Sequence, residues 1–277
     1  MDLTIVIVSF KSGEVLHSCI KSIDKEYPII VIENSLDNDL KIELERDYNN
    51  VKCIIPEKNL GYGAGNNLGI KLARSNYVLI LNPDTILFEK TIPNLISQAK
   101  VISDFAIIGP KIIEDDKTDI YKDSEKYQSV KYLKGFAILF NKKMFDNEIY
   151  FDENFFLYFE EIDLCQRIIN SGNKIYIINN APIKHLGGKS HNEKFSFEME
   201  LSRNWHWMWS TFYYYKKNYS YSYALIKIYK NLLTSILKVF LYSLLLNNNK
   251  RKIYYQRMSG ILNAIVGKKS WYRPNIK

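Results

Sequence analysis

Leu3-Thr4-Ile5-Val6-Ile7-Val8-Ser9-Phe10 is a continuous run of apolar and β-branched residues. Such a run reads as a strand buried on both faces, the pattern of a parallel sheet covered by helices. Residues 14–24 follow, with Val15, Leu16, Cys19, Ile20 and Ile23 on one helical stripe. The alternation continues. Strands are expected at Ile29–Ile32, Val51–Ile55, Tyr77–Leu81 and Phe105–Ile108, and helices at 38–48, 66–75 and 89–102. This order predicts an α/β fold with a mostly parallel sheet flanked by helices. Ligands of such sheets bind at the carboxyl ends of the strands. The polar residues that follow each strand are therefore the candidates.

Composition narrows the class. The chain has 277 residues, 47% hydrophobic and 25% charged, values of a soluble globular protein and not of a disordered or polytopic membrane chain. Cys19, Cys53 and Cys165 lie far apart, which excludes a disulfide framework or zinc cluster and fits a reducing compartment. The opening apolar run follows Asp2 and not a basic segment, so no secretory leader is expected there. The net charge of +8 is uneven: 14 of the 38 Lys and Arg, and none of the 30 Asp and Glu, fall in residues 203–277. All four tryptophans lie there too. The break divides the chain into a mildly acidic body, 1–202, and a basic aromatic tail, 203–277.

Four clusters follow the strands. In Asn59-Leu60-Gly61-Tyr62-Gly63-Ala64-Gly65-Asn66-Asn67 the third glycine of a dinucleotide fingerprint is missing, and no Gly-Lys-Ser/Thr of a phosphate loop follows. The stretch is either a plain turn and helix cap or a turn that lets backbone approach a ligand. Asn82-Pro83-Asp84 reads as a proline turn capping the next element; its alternative is a carboxylate offered to Mg²⁺ or Mn²⁺. In the stretch Phe151–Arg167, Glu160, Glu161 and Asp163 open a helix marked by Ile162, Cys165 and Ile169. These acids either complement the helix dipole or include a base whose apolar neighbours raise its pKa. His185-Leu186-Gly187-Gly188-Lys189-Ser190, after the apolar run Lys174–Ile178 and its turn, offers an imidazole and an ammonium suited to a diphosphate. A lone histidine is more often structural.

Taken in order, these motifs resemble the family-2 glycosyltransferases of the GT-A nucleotide-diphospho-sugar fold, nearest to bacterial rhamnosyltransferases of polysaccharide and O-antigen assembly. The resemblance covers about residues 3–190. It rests on Val8-Ser9-Phe10, Glu33-Asn34-x-x-Asp37, Asn59-x-Gly61-x-Gly63-x-x-x-Asn67 and Leu81-Asn82-Pro83-Asp84. Gly135 before an apolar strand, Phe151-Asp152-Glu153, Glu160-Glu161-x-Asp163-Leu164-x-x-Arg167 and His185-x-x-Gly188-x-Ser190 complete it. It implies an inverting, metal-dependent transfer of a sugar, L-rhamnose from dTDP-rhamnose, to a hydroxyl of a polyprenyl-diphosphate-linked glycan. Ser9 and Glu33 would border the base and ribose of the donor. Asn59, Gly61 and Asn67 would lie near the nucleotide, and Asn82 and Lys189 on the donor side. Asp84 would hold Mg²⁺ or Mn²⁺, with His185 beside it at the diphosphate. Glu161 would be the base, Asp163 its alternative, and Gly135 and Glu160 would face the acceptor. The chain departs from the pattern where Glu33 replaces Asp and Glu160-Glu161 replaces Glu-Asp; Asn82 stands where many relatives have Asp. Two rival classes are a nucleotidyltransferase, for which Lys11-Ser12-Gly13 is a poor phosphate loop, and a non-catalytic membrane-bound sugar-binding module.

The tail is expected to be helical and to lie on an anionic membrane, at the inner face of the bacterial plasma membrane on the cytoplasmic side. Lys227, Lys230, Thr234 and Lys238 recur at helical spacing within residues 225–246, and the lysines interrupt a run otherwise long enough to cross. Leu232, Leu233, Ile236, Val239, Phe240 and Leu244 would supply the apolar contact. No motif for nucleic acid is present.

Overall fold

The computed structural model describes residues 2–102, 104–113, 125–145, 148–187 and 195–276. The chain divides into two compact units: Met1–Asp152 with Glu161–Asn192, and Glu153–Glu160 with Glu193–Lys277.

The first unit runs β1 (Leu3–Ser9), α1 (Gly13–Lys21), β2 (Ile29–Glu33), α2 (Asn38–Asp47), β3 (Val51–Ile54), α3 (Tyr62–Leu72) and β4 (Tyr77–Leu81). It continues with β5 (Thr85–Leu87), α4 (Thr91–Val101), β6 (Phe105–Ile113), β7 (Tyr127–Ser129), β8 (Ala137–Asn141), α5 (Glu160–Asn170) and β9 (Lys174–His185). Every residue of β1 is buried. Leu3, Ile5 and Ile7 pack into one core with Leu16, Cys19 and Ile20 of α1, while Val6 and Val8 enter a second core with Ile70 of α3. Two covered faces explain why the opening run shows no polar alternation.

Among the described residues the sheet order is β3-β2-β1-β4-β8-β6-β9-β5, with β7 paired to β9. β1 pairs in parallel with β2 and β4, β2 with β3, and β6 with β9. The pairs β4/β8, β6/β8, β5/β9 and β7/β9 are antiparallel. The sheet is therefore mixed, which corrects the expectation of a mostly parallel one. β8 is buried along its whole length, and an apolar run reports two covered faces whichever way the strand points.

Two local differences bear on the site. α3 begins at Tyr62 and not near 66, because Gly61 adopts φ 81° as its N-cap, a backbone favoured for glycine. Gly65 and Gly69 serve packing: a Cβ on them would stand 3.0 Å from Val8 Cγ1 and 2.3 Å from Val6 Cγ1 respectively, so its absence lets α3 lie close on β1. β9 also runs past Ile178, through a register shift opposite Pro110 and Lys111, as far as His185. Its end pairs with β5, placing His185 opposite Thr85.

The second unit holds α6 (Ser196–Asn218), α7 (Tyr221–Leu244) and α8 (Asn248–Ile265). Trp205, Trp209 and Phe212 of α6 pack with Ala224 and Ile228 of α7 and with Ile261 and Ala264 of α8. The charge break at 202/203 falls inside α6. No helix among the described residues is long and apolar enough to cross a membrane.

The segment Glu153–Glu160 belongs to this unit and lies along α6. The rings of Phe155 and Tyr213 stand 4.9 Å apart, those of Phe156 and His206 4.6 Å, and those of Tyr158 and Trp207 5.2 Å. Ser210 Oγ donates to the Leu157 carbonyl at 2.9 Å. These contacts hold two successive aromatic residues, Tyr158 and Phe159, at φ 70° and 71°. Bulky residues rarely adopt that conformation, and each such residue costs of order 1–3 kcal/mol. His206 is in turn fixed by Ser270 Oγ at 3.0 Å and the Tyr272 carbonyl at 2.9 Å. Burial pushes its pKa down to about 3, so it is neutral.

Candidate functional site

The carboxyl ends of β1 and β2 place Ser9 directly opposite Glu33, both fully buried. Glu33 Oε1 accepts from the Ser35 backbone N–H at 2.7 Å. Burial raises its carboxyl above the ordinary glutamate range, against hydrogen bonds from Ser35 and Ser9 that favour the charge. Asn34 next to it braces the loop before α3: its Oδ1 accepts from Leu60 N at 3.2 Å and its Nδ2 donates to the Gly61 carbonyl at 3.0 Å. Asn59 Oδ1 accepts from Gly61 N at 2.9 Å. Ser9, Glu33, Asn59 and Gly61 thus come together at one end of the sheet. Asn67 does not join them. Both atoms of its amide are bonded to the backbone of Phe151 at 2.9 Å, which ties α3 to the segment before α5.

The turn after β4 is closed on Asn82, whose carbonyl accepts from Thr85 Oγ1 at 2.6 Å and Thr85 N at 3.2 Å. Asp84 leaves this turn buried at the head of β5. Since β5 pairs with the end of β9, His185 Nε2 comes to 3.3 Å from Asp84 Oδ1. No hydrogen bond of acceptable geometry reaches Asp84 Oδ1 or Asn82 Oδ1 among the described residues. The Phe136 ring stacks on the His185 imidazole, centroids 4.3 Å apart and 7° from parallel. One buried carboxylate oxygen with an imidazole beside it fits a divalent cation that takes its other ligands from a diphosphate and water. No group of three His, Cys, Asp or Glu residues forms a metal cage among the described residues.

Glu161 sits in the first turn of α5, against Gly135. A Cβ on Gly135 would touch Glu161 Cβ and Cγ at 3.4 Å. Burial raises the Glu161 carboxyl above the ordinary range, opposed by the free N–H groups of Glu161 and Ile162 at the start of the helix. The Gly135 carbonyl accepts a hydrogen bond from Tyr62 Oη. Asp163 lies two residues on and is fully buried, and its Oδ2 accepts from Arg167 Nε at 3.0 Å. Arg167 also donates to the Tyr150 carbonyl. Glu160, at the first position of α5, is buried as well. Lys189 lies outside the described residues.

Three pairs are thereby assembled: Ser9 with Glu33, Asp84 with His185, and Gly135 with Glu161. Phe136 joins the last two, being the chain neighbour of Gly135 and the stacking partner of His185. It also lines a cavity of about 370 Å³ with Lys111, Tyr132, Lys134 and Asn179. Phe136 and Tyr62 went unread in the sequence. Each looks like an ordinary apolar or turn residue, and the signal lies in their chain neighbours, Gly135 beside Phe136 and Gly61 beside Tyr62.

The glycosyl transferase family 2 model matches residues 4–165. The hexosyltransferase Agl10 of low-salt glycan biosynthesis in Haloferax volcanii is 26% identical over 190 residues, 60% of this chain and 61% of that protein. This chain therefore spans less than two thirds of that relative's length. The rhamnosyltransferase WbbL of Escherichia coli K12 is 26% identical over 230 residues, covering 70% of this chain and 85% of that protein. Among solved structures, S. aureus TarS residues 1–349 superpose with a TM-score of 0.55 at 15% identity, over 99% of this chain and 93% of that one. The mixed sheet flanked by helices is the GT-A fold, and with more than half of its length matched, this chain belongs to glycosyl transferase family 2.

Proposed function

We propose that the protein is an inverting glycosyltransferase that moves a sugar from a nucleotide-diphosphate donor to a glycan hydroxyl, with Glu161 as the base. The observation that carries the reading is a half-buried carboxylate of raised pKa, one residue along the chain from the segment held on α6 and packed against Gly135. Asp163 is the weaker candidate because its carboxylate is already engaged by Arg167.

The acceptor hydroxyl gives its proton to the Glu161 carboxylate while its oxygen forms a bond to the anomeric carbon. The bond from that carbon to the diphosphate oxygen breaks, and the nucleoside diphosphate leaves with the electron pair, inverting the centre. Ser9 and Glu33 receive the base and ribose of the donor. Asp84, with His185, would hold a Mg²⁺ or Mn²⁺ ion, which when bound supplies Lewis-acid neutralisation of the diphosphate charge. The catalytic machinery lies in the sheet unit, and the cavity beside Phe136 receives the acceptor sugar, with Tyr132 as a platform for its ring. Strand direction supports this placement: β6 runs parallel to β1 and β4, so its carboxyl end opens on the donor's edge of the sheet. The likeness to the rhamnosyltransferase WbbL supports rhamnose as the sugar; dTDP as its carrier and a polyprenyl-diphosphate-linked glycan of cell-surface polysaccharide as the acceptor rest on the motif resemblance alone. The protein would then work as a peripheral protein at the cytoplasmic face of the membrane.

The test is a donor screen by release of nucleoside diphosphate, with and without Mn²⁺ or Mg²⁺. dTDP-rhamnose should be turned over in the presence of metal. Turnover of another donor alone would correct the sugar, undiminished turnover in EDTA would refute the metal, and no turnover of any donor would overturn the proposal.

A further inference from the structure

The outer face of α7 is an apolar feature of the second unit that no described residue covers. Ala224, Ile228 and Ser235 are buried against the neighbouring helices, and Leu232 packs on the same core. On the opposite side Ile226, Tyr229, Leu233, Leu237, Phe240 and Leu244 are each more than half exposed. Their spacing of three or four residues makes one straight stripe. At 1.5 Å per residue the stripe is about 27 Å long. Solvated monomers rarely leave such a continuous patch in water. Two of the three lysines of α7 do not lie on it, and the third, Lys230, stands at its edge with its ammonium 6.0 Å from the centroid of the Tyr229 ring. Lys238 Nζ donates to Tyr254 Oη at 2.8 Å, and Lys227 sits 5.1 Å from the centroid of the Tyr223 ring, so both lean along the flank of the helix. This corrects the expected apolar set, since Leu232 and Val239 are partly buried within the unit.

We infer that this face of α7 is a docking surface for an anionic lipid bilayer, with the helix lying in the plane of the interface. The inference deepens the reading of a lipid-linked acceptor and takes its biological sense from it. Charge selects the occupant. From residue 203 onward the chain has 14 basic residues and no acid, so the same face of a second copy, packed against this one about a two-fold axis, would bring the same sign of charge and no carboxylate to meet it. An acidic lipid surface supplies both an apolar interior and the opposite charge. Lys250, Arg251 and Lys252 at the start of α8 follow the exposed end of the stripe at Leu245 and Leu246. Lys230 is exposed beside the stripe at Tyr229. α7 is not apolar enough to cross, which leaves the in-plane position.

The experiment is flotation of the full chain, without donor, on vesicles of phosphatidylcholine alone and of phosphatidylcholine with phosphatidylglycerol. The wild type should bind the anionic vesicles. Raising salt from about 0.1 M to about 1 M, which shortens the Debye length from roughly 10 Å to 3 Å, should release part of it. The variant Leu233→Ser/Leu237→Ser/Phe240→Ser alters only exposed positions and should lose binding more than tenfold with unchanged thermal unfolding. Lys230→Glu/Lys250→Glu should lose about fivefold or more per charge at low salt and little at high salt. Equal binding of wild type and the triple variant would overturn the inference, as would equal binding to the two kinds of vesicle. A dimer in solution that the triple variant abolishes would assign the face to a second copy instead. A protease-protected α7 with its ends on opposite sides of sealed vesicles would replace docking by crossing. Since donor is absent throughout, these failures leave the catalytic reading untouched, and a failed donor screen leaves this one untouched.

Discussion

Asp163→Asn and Glu161→Gln, two residues apart on α5, should have opposite signatures. Asp163 is fully buried and its carboxylate meets Arg167 Nε at 3.0 Å, while the Arg167 side chain is 30% exposed. Removing one charge of a buried pair costs about 3–5 kcal/mol, and the partly solvated arginine puts this case near 3 kcal/mol. For a chain of this size that lowers Tm by roughly 6–12 °C. Glu161 behaves otherwise. Burial raises its pKa in the folded state, so the folded protein holds that proton more tightly than the unfolded chain. The associated stability is complete below the ordinary glutamate pKa of about 4.3 and is lost as pH rises through the raised value. At neutral pH Glu161→Gln removes this loss and should leave Tm unchanged or higher. Turnover should fall by roughly 10²–10⁴, because the amide cannot take the acceptor proton. The wild-type rate should rise with pH along an acid limb centred above the ordinary glutamate value, and Glu161→Gln should abolish the limb. Thermal unfolding by near-ultraviolet circular dichroism and release of nucleoside diphosphate measure both effects. A stable Asp163→Asn that has lost turnover, beside an active Glu161→Gln, would refute the assignment and make Asp163 the base.

Asp84→Ala should abolish turnover and also the rise in Tm that Mn²⁺ produces in the wild type, while the apo Tm stays unchanged or rises, because a buried carboxylate oxygen that no hydrogen bond satisfies among the described residues is removed; a retained Mn²⁺ shift would remove Asp84 from the metal. Tyr132→Ala should raise KM for the acceptor and leave donor affinity alone, as titration of each substrate would report. Trp207→Ala releases the contacts on Tyr158 and Phe159 and should lower kcat with little change in donor KM, whereas Trp207→Phe should restore most of it. Gly260→Ala would put a Cβ 2.3 Å from the Trp205 carbonyl oxygen, a backbone atom that cannot swing away. Overpacking of about 1–3 kcal/mol should outweigh the helix-propensity gain of up to about 1 kcal/mol, seen as a lower midpoint in urea.

Most of the element order was legible from residues 3 to 108, because burial on two faces or on one stripe writes itself directly into the spacing of apolar side chains. Asp84 and Glu161 stand out in the sequence as candidates for a related reason. A carboxylate after a buried strand, or in the first turn of a helix among aromatic residues, sits where periodicity and charge conflict. The same signal could not say which strand each run would meet or in which direction. β8 is apolar from Ala137 to Phe140 and enters antiparallel, and β9 continues through Asn179 and Asn180 to His185 because β5 and β6 give its backbone partners. That pairing, and not the local sequence, brings His185 to Asp84. Gly65, before Asn67, reads equally as a ligand cradle or as packing until Val8 is seen beneath it, 3.0 Å from where a Cβ would stand. Helical spacing likewise marks α7 as amphipathic around several axes, and only the contacts of Ala224, Ile228 and Ser235 decide which side is left facing out. Sequence carries the burial of each side chain, a property of one residue and its near neighbours along the chain; the identity of the partner is a property of two distant segments, and tertiary structure alone decides it.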